Sequence, residues 1–228
     1  MKGEFYVWGS VVLLTIALSA WVLPAIANSA SEFRQRGLAL RAQGDYGGAI
    51  GAFEQAMQLE PQNLDNQLLL GWTVYKAGDL DRSAQVLSQV TAKNPFAVGA
   101  WNALGIVDLV SGNVHSAVGS HLWAAMLNPQ NEVAHYNLSL ALTRLQAFDR
   151  AIAHGEVATR LEPDNPHPWL ALAIAQAATR PDQAKQHYRK AMTLNPGLEN
   201  PEIRAIDLQE AGFSPEQIQQ VQALTQRQ

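Results

Sequence analysis

The chain has 228 residues, 47% of them apolar and 16% charged, with a formal net charge of −4. That length suits one or two domains, and the apolar share sustains a packed core, which excludes wholesale disorder. The acidic balance excludes a nucleic-acid binder built on a basic face, and the absence of cysteine excludes disulfides, iron–sulfur clusters, thiolate zinc and a cysteine nucleophile.

Phe5 to Ala27 runs for 23 residues without a charge. As a helix it is about 34 Å long, enough for a ~30 Å hydrocarbon layer. Tyr6 and Trp8 near one end and Trp21 towards the other suit the two interfaces. Residues 1–28 are therefore expected to be a single-pass membrane anchor in contact with lipid. Arg34, Arg36 and Arg41 follow as a membrane-proximal basic cluster, against Lys2 alone before the segment. By the positive-inside bias the remainder stays on the cytoplasmic side. The alternative is a signal peptide cleaved after Ala25-Ile26-Ala27, which gives a periplasmic or secreted chain. Ser29-Ala30-Ser31-Glu32 has the form of a capping box and opens a new helix almost where the apolar run stops.

Pro61, Pro95, Pro129 and Pro163 follow one another at intervals of 34 residues, and Pro196 comes after 33. Each lies in a similar flank, from LEPQN to LNPGL. Before each proline the same offsets recur, as in Ala49, Phe53 and Ala56 or Ala117, His121 and Ala124. Further upstream stand Leu70-Gly71, Leu104-Gly105, Leu138-Ser139 and Leu172-Ala173, separated from the later stretch by breakers such as Gly44-Asp45, Gly78-Asp79 and Gly112-Asn113. A fixed period of this size is the mark of a stacked repeat. Each unit reads as helix–turn–helix. Glycine ends the first helix, small residues allow the two helices to cross closely, and proline ends the second.

These features resemble the tetratricopeptide repeat (TPR) family. The resemblance covers five repeats over residues 29–198, after the anchor of residues 1–28. It implies an all-α helical-repeat solenoid. Phe33, Trp101 and Trp169 match the family's aromatic near the start of the first helix, with Gln67 and His135 there in the other repeats. Gly155 departs from the family's bulky residue, and Trp169 is expected to fill its gap. Residues 199–228 read as C-terminal capping helices: Pro201 to Gly212, with Ile203, Ile206 and Leu208 as its apolar face, and a second helix opened by Ser214-Pro215-Glu216 with Ile218, Val221 and Leu224 recurring every three residues.

No catalytic motif, metal-ligand spacing or phosphate loop occurs, so the chain is expected to be no enzyme, with no cofactor and no metal. His121 falls on a packing face and is expected to be a hydrogen-bonded core residue. The TPR resemblance implies a partner groove lined by the first helix of each repeat. It maps to Leu38, then Leu68, Trp72 and Tyr75, then Asn102, Ile106 and Leu109, then Tyr136, Leu140 and Arg144, then Leu170 and Ile174. That lining is apolar, and an apolar groove marks a site for a helix or extended segment, with Trp72, Tyr75 and Tyr136 as anchors. The competing reading is that the array or its caps bury these residues. The Ala/Gln-rich, Lys-poor repeats behind an apolar segment are similar to TPR proteins that assist photosystem assembly in thylakoid membranes. The implied partner is a protein, a membrane-complex subunit, and not nucleic acid. A permanent structural subunit of a larger complex is the other reading.

Overall fold

The computed structural model of the chain describes residues 29–225, and the expected membrane segment lies outside them. The described residues form five antiparallel helix pairs: α1 (Ala30–Ala42) with α2 (Tyr46–Leu59), α3 (Leu64–Lys76) with α4 (Leu80–Lys93), α5 (Val98–Val110) with α6 (Val114–Leu127), α7 (Glu132–Arg144) with α8 (Phe148–Leu161), and α9 (Pro166–Gln176) with α10 (Pro181–Leu194). A 3-10 turn (Pro196–Glu199) leads to α11 (Pro201–Glu210) and α12 (Pro215–Thr225). Each pair also packs on the next, so the first helices form one row and the second helices another. No strand occurs among the described residues, and no helix there is long and apolar enough to cross a membrane.

Local chemistry sets the boundaries. Ser29 N–H donates to Glu32 Oε2 at 2.7 Å and Glu32 N–H donates to Ser29 Oγ at 3.2 Å, a complete capping box. Asp45 and Asp79 accept from the N–H groups of Gly48 and Arg82 and open α2 and α4. The intra-pair turns at Gly44, Gly78 and Gly112 have φ of 79°, 90° and 83°. Gln146 holds the fourth such turn at φ 57°, a conformation that strains a residue with a Cβ. The prolines stand one residue beyond the cap of each second helix, where no further helical N–H is needed.

Packing within each pair turns on one small–large contact. A Cβ on Gly37 would come within 2.7 Å of the Phe53 ring, one on Gly71 within 2.6 Å of Leu87, and one on Gly105 within 2.6 Å of His121. The fourth pair reverses the arrangement: Ser139 replaces the glycine and Gly155 the large residue. A Cβ on Gly155 would lie 2.9 Å from Ser139 Oγ and 3.2 Å from Leu172 Cδ1. Leu172 of the next pair therefore fills the gap, not Trp169. The Trp169 ring instead lies 5.3 Å from His187, with its indole N–H donating to the Pro163 carbonyl. His121 is fully buried as expected; neither ring nitrogen makes a hydrogen bond of good geometry, although the Gly105 backbone lies close enough to favour its charged form. Burial holds it neutral, with its pKa lowered to about 4.

Leu208 is buried, but Ile203 and Ile206 of the expected apolar face are exposed. Helix α12 turns back into the concave side, packing on α9 and α10.

Candidate functional site: a half-filled concave groove

The row of first helices brings the expected groove residues together. Leu38, Trp72, Ile106, Leu140 and Ile174 occupy one repeat position, and Leu68, Asn102, Tyr136 and Leu170 another. The chain's own cap then divides them.

Over α7 and α9 the groove is filled. Leu109, Leu140, Leu170 and Ile174 are buried in one core with Phe213, Val221 and Leu224 of the cap. Tyr136 donates its hydroxyl to the Ala211 carbonyl at 2.6 Å and lies 6.3 Å, ring to ring, from Phe213. The Gln217 side chain donates to the Leu140 carbonyl at 3.0 Å. Arg144 donates to the Leu109 carbonyl at 2.8 Å, and His167 Nε2 pairs with Asp207 at 2.7 Å. Leu109, Tyr136, Leu140, Arg144, Leu170 and Ile174, read as partner-binding, are therefore engaged by the fold itself. Wetting so many apolar groups is costly, and a covalently attached amphipathic helix removes them from water at small entropic cost.

Over α1, α3 and the earlier turns of α5 the groove is open, with Leu109 at the end of α5 already under the cap. The Trp72 and Tyr75 rings meet edge-on with centroids 5.7 Å apart, and the Lys76 ammonium lies 5.8 Å from the Tyr75 ring centre. Leu68, Trp72 and Tyr75 rest on the Leu87–Leu104 core but keep part of their surface in solvent. A cleft of about 510 Å³ opens between Arg41, Tyr46, Leu68, Trp72 and Lys76. A second cavity of about 260 Å³ lies where the open half meets the cap, between Tyr75, Ile106, Tyr136 and Ala211. Asn102 Oδ1 is buried nearby without a partner. Partial burial raises the Tyr75 pKa, so its hydroxyl stays protonated and can donate.

The expected basic cluster is dispersed. Arg34 is tied to Glu60 and donates to Asn66 Oδ1 at 3.2 Å, so it locks α1 to the second repeat. Asn63 and Arg34 hold the Glu60 carboxyl below its ordinary pKa. Arg36 is exposed, and Arg41 stands at the groove lip beside Trp72.

Two features escaped sequence reading. His135 Nε2 faces the Pro129 carbonyl at 3.2 Å, as the Trp101 and Trp169 indoles donate to Pro95 and Pro163. A carbonyl only accepts, so His135 carries its proton on Nε2 and its Nδ1 accepts from His154 Nδ1 at 2.9 Å. The two histidines are 19 positions apart on different helices, so no local spacing announces the pair. Among the described residues no cluster of three or more ligating side chains could hold a metal. The second feature is Gln217, one of many glutamines on α12, distinguished only by its place beside Ser214 in a second capping box.

Comparison with known proteins agrees with this architecture. Residues 40–104 and 103–166 each match a tetratricopeptide repeat model. The fold is similar to that of MamA AMB-1, with a TM-score of 0.64 and 28% identity, over 72% of this chain and 98% of that one. It is also similar to TTC0263, a thermophilic TPR protein of Thermus thermophilus, with a TM-score of 0.61 and 25% identity over 78% of this chain and 96% of that one. The BBSome complex member bbs-4 of Caenorhabditis elegans is 25% identical over 207 residues, 75% of this chain and 45% of the relative. The chain thus spans less than half the length of that curated relative. The matched residues 40–166 exceed half of the 228, and the chain belongs to the tetratricopeptide repeat family, with the fold of a protein-interaction scaffold.

Proposed function

We propose that this chain is a membrane-anchored, non-enzymatic scaffold or assembly factor. The open half of its groove holds an apolar or helical segment of a membrane-complex subunit, with the photosynthetic complexes among the candidates. The observation that carries the reading is the division of the groove: the cap covers α7 and α9 and leaves Trp72 and Tyr75 uncovered beside a cleft. Aromatic side chains with one wet edge are the residues that most often dominate binding energy. Lys76 and Arg41 at the rim suit a segment with an acidic or carbonyl-rich end. The uncharged run from Phe5 to Ala27 supports a membrane location, and the similarity to a BBSome complex member supports work within an assembly.

The test is affinity capture from gently solubilised membranes of the source cells. A defined membrane-complex subunit should be recovered by the parent chain and lost by the double variant Trp72→Ala, Tyr75→Ala. It should be retained by Tyr136→Phe, which alters the filled half. An unchanged partner list with the double variant sinks the groove assignment. A mature mass beginning at Asn28 replaces the anchored reading with the secreted one.

A further inference from the structure

Repeat three breaks the surface chemistry of its neighbours. Between Lys93 and Glu132 the only charged residue is Asp108, and it is buried. Phe96 is 74% exposed, Met126 71% and Trp123 39%. The repeat provides its own control. Phe96 stands where the other repeats have Gln62, Gln130, Asp164 and Gly197. Trp123 stands in phase with Gln55, Gln89, Val157 and Lys190, and Met126 with Gln58, Ala92, Arg160 and Thr193. Packing of the repeat does not require large apolar groups at these positions, since the other repeats pack without them.

Trp123 is tied to the backbone beside Phe96, and Met126 follows Trp123 by three residues on the same helix. Trp123 and Trp101 both donate their indole N–H to the Pro95 carbonyl at 2.8 Å, with ring centroids 6.3 Å apart, and Phe96 follows that proline. The patch thus sits where second helices end and first helices begin. Contacts run along this edge from the start of α1: Arg34 reaches Glu60 and Asn66, Gln67 accepts from Lys93, and Trp123 reaches Pro95. It is therefore the edge at which the uncharged segment ending at Ala27 joins α1 through Ser29.

We infer that Phe96, Trp123 and Met126 form a second membrane contact, seated in the headgroup and upper acyl region of a bilayer. Bulky apolar groups around a tryptophan pair, with a lysine (Lys93) at the rim, match the chemistry of that interface. A spanning helix already holds the chain at the membrane but leaves the repeats free to swing about its end, so a second contact fixes how the groove is presented. Beyond Pro129 the edge turns charged at Glu132, Arg160, Glu162 and Asp164, which bounds the patch. The inference rests on the membrane reading of residues 5–27.

The chain has no cysteine, so single cysteines can be placed in the full chain. Phe96→Cys, Gln146→Cys and Trp8→Cys are each labelled with an environment-sensitive fluorophore and reconstituted into phosphatidylcholine–phosphatidylglycerol vesicles. Gln146 lies on the opposite edge, at an intra-pair turn. The expected result is loss of emission to doxyl-labelled lipid at positions 96 and 8, and quenching by aqueous iodide at 146. Lipid quenching at 8 with iodide quenching at 96 overturns the second contact and leaves the anchor standing. Iodide quenching at both overturns the two together. Shielding of 96 from iodide without lipid quenching assigns the patch to a protein, such as a second copy, and also overturns the inference.

Discussion

Leu38 and Leu140 occupy the same position of the same repeat unit, yet one is 40% exposed and the other fully buried. Trp72 and Ile174 are related in the same way. The difference comes from α12, which belongs to no repeat and covers only the half of the groove within its reach. A repeat position thus fixes the direction a side chain faces, while a non-repeating element decides whether that face is wet. The open half is available for recognition, and the closed half has become part of the core.

Several perturbations bear on that contrast. Leu140→Ala leaves a cavity between α7 and α12 and is expected to cost about 2–5 kcal/mol in urea unfolding. Leu38→Ala, at the same repeat position, should cost about 1 kcal/mol or less. Equal losses would erase the distinction between the halves. Next in size, Trp72→Ala should weaken the captured subunit by about 2 kcal/mol, roughly thirtyfold, in a titration, with a smaller change in the unfolding midpoint.

His121 is the next test, because its counterpart Leu87 packs on Gly71 as His121 packs on Gly105. His121→Leu removes two buried ring nitrogens that lack a hydrogen bond of good geometry and should add about 1 kcal/mol at neutral pH. It should also flatten the acid limb. The folded pKa of about 4 lies below the unfolded value of 6.5, so the unfolded chain takes up the proton first. Stability is fully present above about pH 6.5 and falls as the pH drops towards 4. His154, lowered to about 4 by burial and by His135, acts in the same direction. Unfolding of parent and variant at about pH 7 and about pH 5, on either side of the unfolded pKa, measures the difference.

Smaller effects sharpen the picture. Tyr136→Phe removes the hydroxyl bond to Ala211 and should cost about 0.5–1.5 kcal/mol. Hydrogen exchange should quicken in α12 and not in α3. Gln146→Gly should stabilise by about 0.5 kcal/mol, by removing left-handed strain at the expense of some chain entropy, and a fluorescence melt can resolve it.

The repeats were legible because their signals are local. Proline at a fixed interval, glycine at the turns, and Asp45 and Asp79 before their helices each act within a few residues. The open groove was half legible for the same reason, since Trp72 and Tyr75 follow from repeat phase. The filled half was not, because Tyr136 carries the same phase as Leu68 and only a contact across 75 residues separates their fates. The reversal at Ser139 and Gly155 was visible as two departures from the family. That Leu172 completes it depends on how adjacent pairs settle together, which no single position encodes.

The wall formed by Tyr136 and Phe213 also acts as a ruler. A ligand lying along the groove from α1 must stop there, so it crosses three first helices. At about 8–10 Å between neighbouring axes, its bound length is on the order of 20 Å. Such a span admits about six residues of extended chain or about thirteen of helix. A longer segment would have to leave the groove at the cap, so on the proposed function partner length counts as well as partner chemistry.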